Sequence, residues 1–359
     1  MRKPTKLVQI GKMSIGANQP IAIQSMTNVP TAHVAETVNQ IKQLTTAGCD
    51  IVRVAVPNRE AASAIQDIVS QIEIPIVGDI HFDYRLAIEA MKNGVDKIRI
   101  NPGNIGSQRK VEEVVAVAKD RNIPIRIGIN SGSLEKDILE KYGKPSAEAM
   151  IESAQRHIAY LEACNYDNIV ISLKASSVMR TIKAYELFSN LYDYPLHLGV
   201  TEAGLPRTAT VKSALGMGAL LLQGIGDTLR VSITGNPLEE IYVASDILQA
   251  LCLENPNKPK IQFISCPTCG RTEIDLEGIA QTIYDRIKDI RKPLTVAVMG
   301  CVVNGPGEAR EADIGVAGGK DKGVIFKKGE IVGTVAADKI VDTIVEEVLH
   351  YEDTDEQPV

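Results

Sequence analysis

Three cysteines in the last quarter of the chain have the spacing of soft metal ligands. Cys266 and Cys269 form a C-x-x-C motif in "SCPTCGRT", and Cys301 follows in "MGCVVNGPGEA". Each motif comes directly after an apolar run that predicts a β-strand, so the thiols converge if the two strands are neighbours. This spacing is compatible with zinc or with an iron–sulfur cluster. A zinc ribbon usually has a second C-x-x-C or a pair of histidines, and neither is near these cysteines in the sequence.

The fourth ligand of such a site is not obvious from the cysteines. Glu308 lies seven residues after Cys301, and the Gly-Pro-Gly sequence at 305–307 allows the backbone to turn back toward a metal. A carboxylate is a hard ligand that exchanges on a soft cluster iron, so one iron would be open to substrate. Cys252, predicted on the apolar face of a helix, is the less favoured alternative.

A second group of polar residues lies at the ends of predicted strands earlier in the chain. It contains four arginines and a lysine but only two carboxylates. Cations that converge in one pocket repel each other strongly at low dielectric, and a bound polyanion compensates that repulsion. We therefore expect a small phosphorylated or diphosphorylated substrate. The group consists of Arg53, Asp79, His81, Arg99, Asn101, Arg126, Asn130, Lys174, His197, Thr201, Glu202, Arg230 and Ser232.

Glu202, in "GVTEAG", is the candidate general acid or base of this group. A carboxyl in a closed pocket has its pKa raised toward neutrality, whereas neighbouring cations lower the pKa. A carboxylate that only orients an arginine is the alternative interpretation, and the sequence does not decide between them.

The scaffold that brings these residues together is predicted to be a (β/α)8 barrel. After a short hairpin around Gly11 and Lys12, β-branched runs alternate with helical stretches eight times, which is typical of this fold. "AGCDIVRV" and "NGVDKIRI" enter their strands alike, which indicates one repeated unit. A doubly wound sheet is the alternative. The runs lie at 21–25, 51–55, 74–79, 97–101, 123–130, 168–174, 195–202 and 229–234.

The polar residues of these runs are predicted to point into the barrel. Side chains two residues apart share one face of a strand, and aliphatic residues alternate with the polar ones. Barrel enzymes carry out their chemistry at the C-terminal ends of the strands, which is where the polar residues lie.

The chain is predicted to contain two domains. Residues 1–254 would form the hairpin and barrel, 255–259 a linker, 260–349 a small α+β iron–sulfur domain of the sulfite/nitrite-reductase-like type, and 350–359 an acidic disordered tail. The net charge of −6 over 359 residues argues against a nucleic-acid-binding protein. No apolar run approaches about 18 residues and no signal-peptide core is present, so we expect a cytoplasmic protein without a membrane partner.

Six motifs together resemble the family of bacterial (E)-4-hydroxy-3-methylbut-2-enyl diphosphate synthases of the methylerythritol phosphate route. They are "IQSMTN", "DIHF", "IRINPGNIG", "GVTEAG", "SCPTCGRT" and "GCVVNGPGEA", and the resemblance covers nearly the whole chain. It implies 2-C-methyl-D-erythritol 2,4-cyclodiphosphate as substrate. Two electrons from reduced flavodoxin or ferredoxin would open its ring at the tertiary carbon, and one hydroxyl would leave as water.

The resemblance also assigns roles to individual residues. It implies a [4Fe-4S] cluster, and it matches Glu202 to the carboxylate that handles protons. The cluster ligands would be Cys266, Cys269, Cys301 and Glu308. The diphosphate would lie on Arg53, Arg99, Arg126, Lys174 and Ser232.

The predicted order of elements favours a homodimer. The last barrel helix returns to the bottom of the barrel, and with about eighteen residues it covers about 27 Å. The linker at 255–259 spans at most about 18 Å. We therefore expect the C-terminal domain of one chain to close the barrel of another.

Two other functions fit parts of the sequence. A pterin-synthase-like transferase with a zinc site would also need a phosphate-binding barrel. An iron–sulfur carrier or sensor would explain the cysteines but gives the converging cations no purpose.

Overall fold

The structure, a computed structural model, describes residues 2–101, 108–253, 255–301, 307 and 311–352. The chain divides into two units, Met1–Glu254 and Asn255–Val359. The predicted acidic tail at 350–359 begins at the end of the last helix, and its residues 353–359 lie outside the described part. Among the described residues, no helix has the length and apolar character needed to cross a bilayer.

Eight parallel strands form a barrel in the described part of the first unit, as predicted. The strands are β3 (Ala22–Met26), β4 (Ile51–Ala55), β5 (Ile76–Asp79), β6 (Lys97–Ile100), β7 (Ile125–Asn130), β8 (Ile169–Lys174), β9 (His197–Leu198) and β10 (Thr228–Leu229). Their order around the sheet is β8-β7-β6-β5-β4-β3-β10-β9. A parallel bridge between Ile171 and Leu196 joins the two ends of this order, which closes the barrel.

Helices follow the strands and cover the outside of the barrel. They are α1 (Val34–Ala47), α2 (Arg59–Val69), α3 (Tyr84–Lys92), α4 (Gln108–Asp120), α5 (Lys136–Tyr142), α6 (Ala147–Ala163), α7 (Val178–Ser189), α8 (Pro206–Leu222) and α9 (Pro237–Ala250). Their apolar faces pack on the outward aliphatic residues of the strands, such as Ile98, Ile127 and Ile171, in one large core. The alternation of aliphatic and polar residues in the strands therefore leaves the polar residues facing inward.

Aspartates at the strand entrances tie neighbouring strands together. The aspartates of the repeat, Asp50 and Asp96, have a third counterpart, Asp227 in "GIGDTLRV", where the glycines lie one and three residues before the aspartate. Each carboxylate accepts a hydrogen bond from a backbone N–H of the neighbouring strand segment, so the repeat sets the register of adjacent strands. The bonds are Ile23 N to Asp50 Oδ2 (2.8 Å), Ile76 N to Asp96 Oδ2 (2.9 Å) and Leu196 N to Asp227 Oδ2 (2.8 Å).

A hairpin seals the N-terminal end of the barrel. It consists of β1 (Val8–Ile10) and β2 (Met13–Ile15), paired antiparallel around Gly11 and Lys12 as predicted. Its apolar residues form a separate cluster with the first inward residues of four barrel strands. The cluster contains Val8, Ile10, Ile15, Ala22, Ile51, Val77 and Val170. A ligand therefore enters the barrel from the C-terminal ends of the strands.

The last two barrel strands are shorter than predicted. β9 ends at Leu198 and β10 at Leu229, although Arg230 N still donates to Leu198 O at 3.0 Å. Gly199, the residue after β9, lies against Lys174, since a Cβ at Gly199 would be 2.6 Å from the Lys174 Nζ. The residues predicted at the ends of these strands therefore lie in the loops that follow. They are Thr201, Glu202, Arg230 and Ser232.

The last helix of the first unit is also shorter than predicted. α9 has 14 residues and ends at Ala250. Cys252 comes two residues later, is exposed and has a φ of 52°. The prediction that Cys252 lies on the apolar face of this helix is therefore wrong.

The second unit contains a five-stranded mixed sheet and two helices in its described residues. The strands are β11 (Gln262–Ser265), β12 (Thr295–Met299), β13 (Ile314–Gly318), β14 (Lys322–Lys327) and β15 (Glu330–Ala336), and the helices are α10 (Leu276–Ile287) and α11 (Ile340–His350). The sheet order follows the chain, with parallel pairing up to β13 and antiparallel pairing after it. β11 and β12 are neighbours, which meets the condition stated for convergence of the thiols, so the segments that carry Cys266 and Cys301 leave the sheet side by side.

Candidate active site

The inward residues of the barrel stack in layers of four, contributed by alternate strands. The strand registers, followed around the barrel, give three polar layers. From the bottom these are Gln24, Val77, Arg126 and His197; then Arg53, Arg99, Ser172 and Arg230; then Met26, Asp79, Gly128 and Gly199. The barrel is therefore apolar only at its hairpin-sealed end, and the predicted polar residues converge above it.

Asp79 is the hub of the cation group. Its Oδ1 accepts a hydrogen bond from Arg99 Nη1 at 3.2 Å. Its Oδ2 lies 3.3 Å from His81 Nε2 and 3.8 Å from Arg53 Nε. Burial alone would raise the pKa of Asp79, but Arg53, the hydrogen bond from His81 and Arg99 together hold that pKa well below its usual range. Asp79 is therefore ionised and orders the cations around it.

Arg99 lies flat across the backbone of Gly128. A Cβ at Gly128 would be 2.5 Å from the Arg99 Nε, so only glycine leaves room for the guanidinium. Arg99 is 8% exposed, so its position is set by the strands and not by solvent. Gly128 therefore stands between Arg126 and Asn130 on β7 for a steric reason. Because it has no side chain, it leaves room for Arg99 on the neighbouring strand β6.

Arg230 is held by a carboxylate that sequence analysis missed. Its Nε and Nη2 donate to the two carboxylate oxygens of Glu240 at 3.0 and 2.9 Å. Glu240 is buried in the first turn of α9 and also accepts a hydrogen bond from Ser25 Oγ at 2.8 Å. The sequence pattern that could have revealed Glu240 was "PLEE", which places acidic residues in the first turn of a helix that begins at the mouth of the barrel. The Met26 Sδ lies between this pair and Arg53, at 3.0 Å from the Arg53 Nε.

Lys174 is positioned by a buried histidine. Its Nζ donates to His197 Nε2 at 3.3 Å, so His197 Nδ1 carries the proton and donates to Thr228 Oγ1 at 2.8 Å. Burial, and after it the charges of Arg126 and Lys174, lower the pKa of His197 well below its ordinary value. His197 is therefore a neutral support for Lys174. Sequence analysis included His197 but missed Thr228.

Two further interior residues escaped the sequence analysis. Lys97 precedes Arg99 by two residues on β6, and Gln24 precedes Met26 by two on β3, so both point inward. Both side chains are 0% exposed. Lys97 and Arg99 are two residues apart, so the alternation that places Arg99 on the inner face also places Lys97 there. Lys97, however, lies at the start of its strand and not at its end.

The remaining predicted residues lie at the C-terminal end of the barrel. Glu202 is exposed, and its φ of 51° is in the left-handed region, which is uncommon for a residue other than glycine. The described residues of the barrel unit therefore do not enclose its carboxylate. Asn101 is buried, and Asn130, Thr201 and Ser232 are half-buried at the same end.

The loop that follows Asn130 is anchored by a buried pair. After the turn Ser131–Ser133, the Glu135 Oε1 lies 2.7 Å from His157 Nε2, and its Oε2 accepts a hydrogen bond from Ser153 Oγ at 2.8 Å. Burial raises the pKa of Glu135, but His157 and the hydrogen bonds lower it to about 2. The pair fixes the loop and through it the last residue of β7.

Two described cysteines of the second unit accept hydrogen bonds at their sulfur atoms or lie beside a cation. The backbone N–H of Gly300 donates to Cys266 Sγ at 3.3 Å. Hydrogen bonds from the backbone and the side chain of Arg271 lower the pKa of the exposed Cys269. Thiolates are the forms that bind soft metals, so the local chemistry fits a metal or cluster.

The described residues do not gather a complete set of ligands. Within them, no three His, Cys, Asp or Glu side chains are close enough to hold a metal ion. Cys266 follows β11, and Cys301 follows the neighbouring strand β12. Cys269 lies three residues after Cys266. Glu308, the predicted fourth ligand, lies outside the described residues.

Two family models match the chain, and together they cover most of it. Residues 5–245 match a model described as the GcpE TIM-barrel domain, and 262–350 match the GcpE protein C-terminal domain. A relative in Clostridium perfringens, named 4-hydroxy-3-methylbut-2-en-1-yl diphosphate synthase (flavodoxin), is 56% identical over 344 residues, which are 96% of this chain and 98% of the relative. A relative of the same name in Caldanaerobacter subterraneus is 56% identical over 348 residues, 97% of each chain.

Solved structures that resemble the chain match its barrel. Dihydropteroate synthase from Xanthomonas albilineans, in complex with 7,8-dihydropteroate, has a TM-score of 0.50 and 15% sequence identity. The match covers 69% of this chain and 98% of that one. At this identity the likeness concerns the fold of the barrel alone.

Proposed function

The chain belongs to the GcpE family, and on this premise we propose that it has 4-hydroxy-3-methylbut-2-en-1-yl diphosphate synthase activity. The substrate would be 2-C-methyl-D-erythritol 2,4-cyclodiphosphate, which takes up two electrons, loses the C–O bond at its tertiary carbon and releases one hydroxyl as water. The observation that carries the proposal is the excess of cations inside the described barrel. Arg53, Arg99, Arg126, Arg230, Lys97 and Lys174 face only Asp79 and Glu240 there.

The diphosphate would lie on the guanidinium groups of the middle layers. Arginine binds phosphate oxygens bidentately, and donors that are buried and fixed before binding need little reorganisation. Asp79 and Glu240 hold their arginines without neutralising the whole group, so a charge excess is left for the substrate. Burial, partly offset by Asp79, lowers the pKa of Arg53 to about 10, which is the electrostatic cost that a bound diphosphate would relieve.

Cys266, Cys269 and Cys301 would hold a [4Fe-4S] cluster, with Glu308 as the exchangeable fourth ligand. The soft thiolate donors fit iron, and the Gly300 N–H to Cys266 is the kind of bond that stabilises a cluster sulfur. When bound, the cluster would supply the two electrons and a Lewis-acidic iron. None of the six cysteines, all within the described residues, forms a disulfide, which supports a reducing compartment such as the cytoplasm.

Glu202 would handle the proton that accompanies loss of the hydroxyl. Its carboxylate stands at the C-terminal end of the barrel on a backbone held in the left-handed region, which fixes its direction. We expect Glu202→Gln to lower kcat by about a hundredfold with little change in substrate affinity, because general acid–base catalysis is worth about that much. The measurement is kcat against pH, together with substrate affinity by calorimetry. If affinity falls as much as kcat, Glu202 orients a cation and is not the acid.

The electron donor would be a reduced flavodoxin, with ferredoxin as the second candidate. The test is anaerobic oxidation of reduced flavodoxin by the purified protein, with and without the cyclic diphosphate. We expect a brown protein with iron and sulfide, and flavodoxin oxidation only when the cyclic diphosphate is present. A colourless protein with stoichiometric zinc would overturn the proposal and favour the transferase. Oxidation independent of substrate would overturn it and favour an iron–sulfur carrier.

We also propose that one active site is shared between two chains. α9 runs about 21 Å, from Pro237 near the barrel mouth toward the sealed end. The residues after it are not extended, since Leu253 N donates to Leu248 O and Lys258 N donates to Asn255 O at 2.9 Å each. These observations support a cluster domain that reaches the barrel of a partner.

Mixing two inactive variants tests this arrangement. Arg99→Met removes barrel function and Cys266→Ser removes cluster function. If the site is shared, the mixture recovers up to about a quarter of wild-type activity, because about half of the dimers are mixed and each mixed dimer has one intact site of two. No recovery after exchange of subunits, or full wild-type activity from a diluted monomer, would contradict the shared site.

A further inference from the structure

We propose that Lys97, Gln24 and Arg126 form a deeper part of the anion site that receives one phosphoryl group of the diphosphate. The inference rests on the proposed function and deepens it. It adds Lys97 and Gln24 to the residues that hold the substrate. We call the three residues the deep subsite.

The deep subsite lies in the lower interior of the barrel. Gln24 and Arg126 share one layer, and Lys97 projects from the layer below them. Their side chains are 0%, 1% and 0% exposed, respectively. The apolar cluster of the hairpin seals the space beneath, so the subsite opens only toward the mouth.

Five polar atoms of the deep subsite have no hydrogen-bond partners among the described residues. They are both amide atoms of Gln24, the Nζ of Lys97, and the Nε and Nη1 of Arg126. Buried polar groups in folded proteins are normally paired, and an unpaired one is costly. Four of these five atoms are donors, so the missing partner is a group rich in acceptors. Phosphate oxygens are such acceptors.

The charges in this region also favour a bound anion, as the unpaired donors do. The charged or titratable groups around Lys97 are Arg126, Arg53 and His197, and none of them is an anion. Burial, and then the repulsion from Arg126 and Arg53, lower the pKa of the Lys97 ammonium well below its ordinary value. Asp79 is three layers above Lys97 and is engaged with Arg99 and His81. A phosphoryl dianion in the deep subsite would supply both the acceptors and the counter-charge.

The test uses inorganic pyrophosphate as the probe, so it does not depend on turnover. We expect Lys97→Met to weaken pyrophosphate binding about tenfold by calorimetry, because a charge-assisted contact is lost. We also expect its thermal midpoint without ligand to be equal to or higher than that of the wild type, because the variant no longer buries an unpaired ammonium. Lys92→Met, the same change at the exposed end of α3, should alter neither quantity.

Lys97→Met is expected to weaken pyrophosphate binding without lowering the thermal midpoint, and this combination distinguishes a binding residue from a structural one. A residue that only supports the fold would lower the thermal midpoint and leave the affinity of the folded protein unchanged. Gln24→Leu is a second test that does not require the Lys97 variant to fold, and we expect it to weaken pyrophosphate binding about threefold.

Each outcome bears on one proposal or the other. If both variants bind pyrophosphate within twofold of the wild type, ordered water fills the space and the deep subsite is wrong. If wild-type protein does not bind pyrophosphate, the deep subsite is also wrong. If wild-type protein binds pyrophosphate through Lys97 but does not reduce the cyclic diphosphate, the proposed function fails and the deep subsite stands.

Discussion

The barrel mouth and the cysteine segments differ in what holds their functional groups in place. In the barrel, Arg99, Arg126 and Lys174 are on strands and are buried. Asp79 and Gly128 position Arg99, and His197 positions Lys174. In the second unit, Cys269 is exposed in a loop, and the described residues bring no three metal-binding side chains together.

The difference indicates how each site acquires its geometry. An array of like charges must be held by a rigid scaffold, because its members repel each other until the ligand arrives. A set of thiolates gets its geometry from the metal, since the bonds to the metal contribute directly to folding. We therefore expect the barrel site to work as an anion site without a cluster, and the cysteine site to be completed by the cluster. The predictions below test this difference.

The largest effect is expected for Cys266→Ser. Loss of one thiolate should reduce iron content and lower turnover by more than about a thousandfold, because no electrons reach the substrate. Pyrophosphate affinity should stay within about twofold of the wild type, since the barrel site does not depend on the cluster. Iron analysis, turnover and calorimetry check this. Cys164→Ser, at the end of α6, is the matched control and should keep its iron. Loss of pyrophosphate binding in the Cys266 variant would show that the two sites do not form independently.

Arg99→Met is expected to have a large effect on substrate binding and none on the cluster. The variant loses a bidentate donor and leaves Asp79 with one partner fewer, so affinity for the cyclic diphosphate should fall about a hundredfold. The iron content and visible spectrum of the cluster should be unchanged. Arg59→Met, which removes an exposed arginine paired with Glu89, is the control. An altered cluster spectrum in the Arg99 variant would contradict the separation of the two regions.

The smallest effect concerns the support of the barrel loops. We expect Glu135→Gln to lower the free energy of unfolding at pH 7 by about 2 kcal/mol, because an ionised partner of His157 and Ser153 is lost. The folded-state pKa of Glu135 is lowered to about 2, so its contribution is present above about pH 4.5 and is lost as the pH falls toward 2. Urea unfolding at several pH values should show the two proteins converging in acid. A constant difference across this range would exclude the ionic interaction as the cause.

Much of the barrel was predictable because its determinants are local. The alternation of aliphatic and polar residues in runs such as "KIRIN" shows which side chains face inward, whatever the rest of the chain does. The aspartate repeat at Asp50 and Asp96 was visible as a repeated pattern of letters, although its hydrogen bonds join strand segments 27 and 20 residues apart. The hairpin around Gly11 and Lys12 was predicted correctly because its two strands are adjacent in the sequence.

The features that sequence analysis missed depend on contacts between side chains of different elements. Glu240 pairs with Arg230 only because α9 begins beside the end of β10, and no local pattern specifies that placement. Gly199 lies against Lys174 of another strand, and no pattern in the sequence shows that β9 ends at Leu198. Lys97 shares the inner face of β6 with Arg99, but it was not among the predicted site residues because it lies at the start of its strand. The role of Glu308 stays a prediction.

The central claim is that the barrel holds the cyclic diphosphate while electrons reach it through the cysteine site. The most direct test is an anaerobic assay of the protein with 2-C-methyl-D-erythritol 2,4-cyclodiphosphate and dithionite with a mediator, followed by NMR of the products. We predict that each molecule of cyclic diphosphate consumes two electrons and gives one molecule of 4-hydroxy-3-methylbut-2-enyl diphosphate. Unchanged substrate in the presence of iron-loaded protein and reductant would contradict the claim.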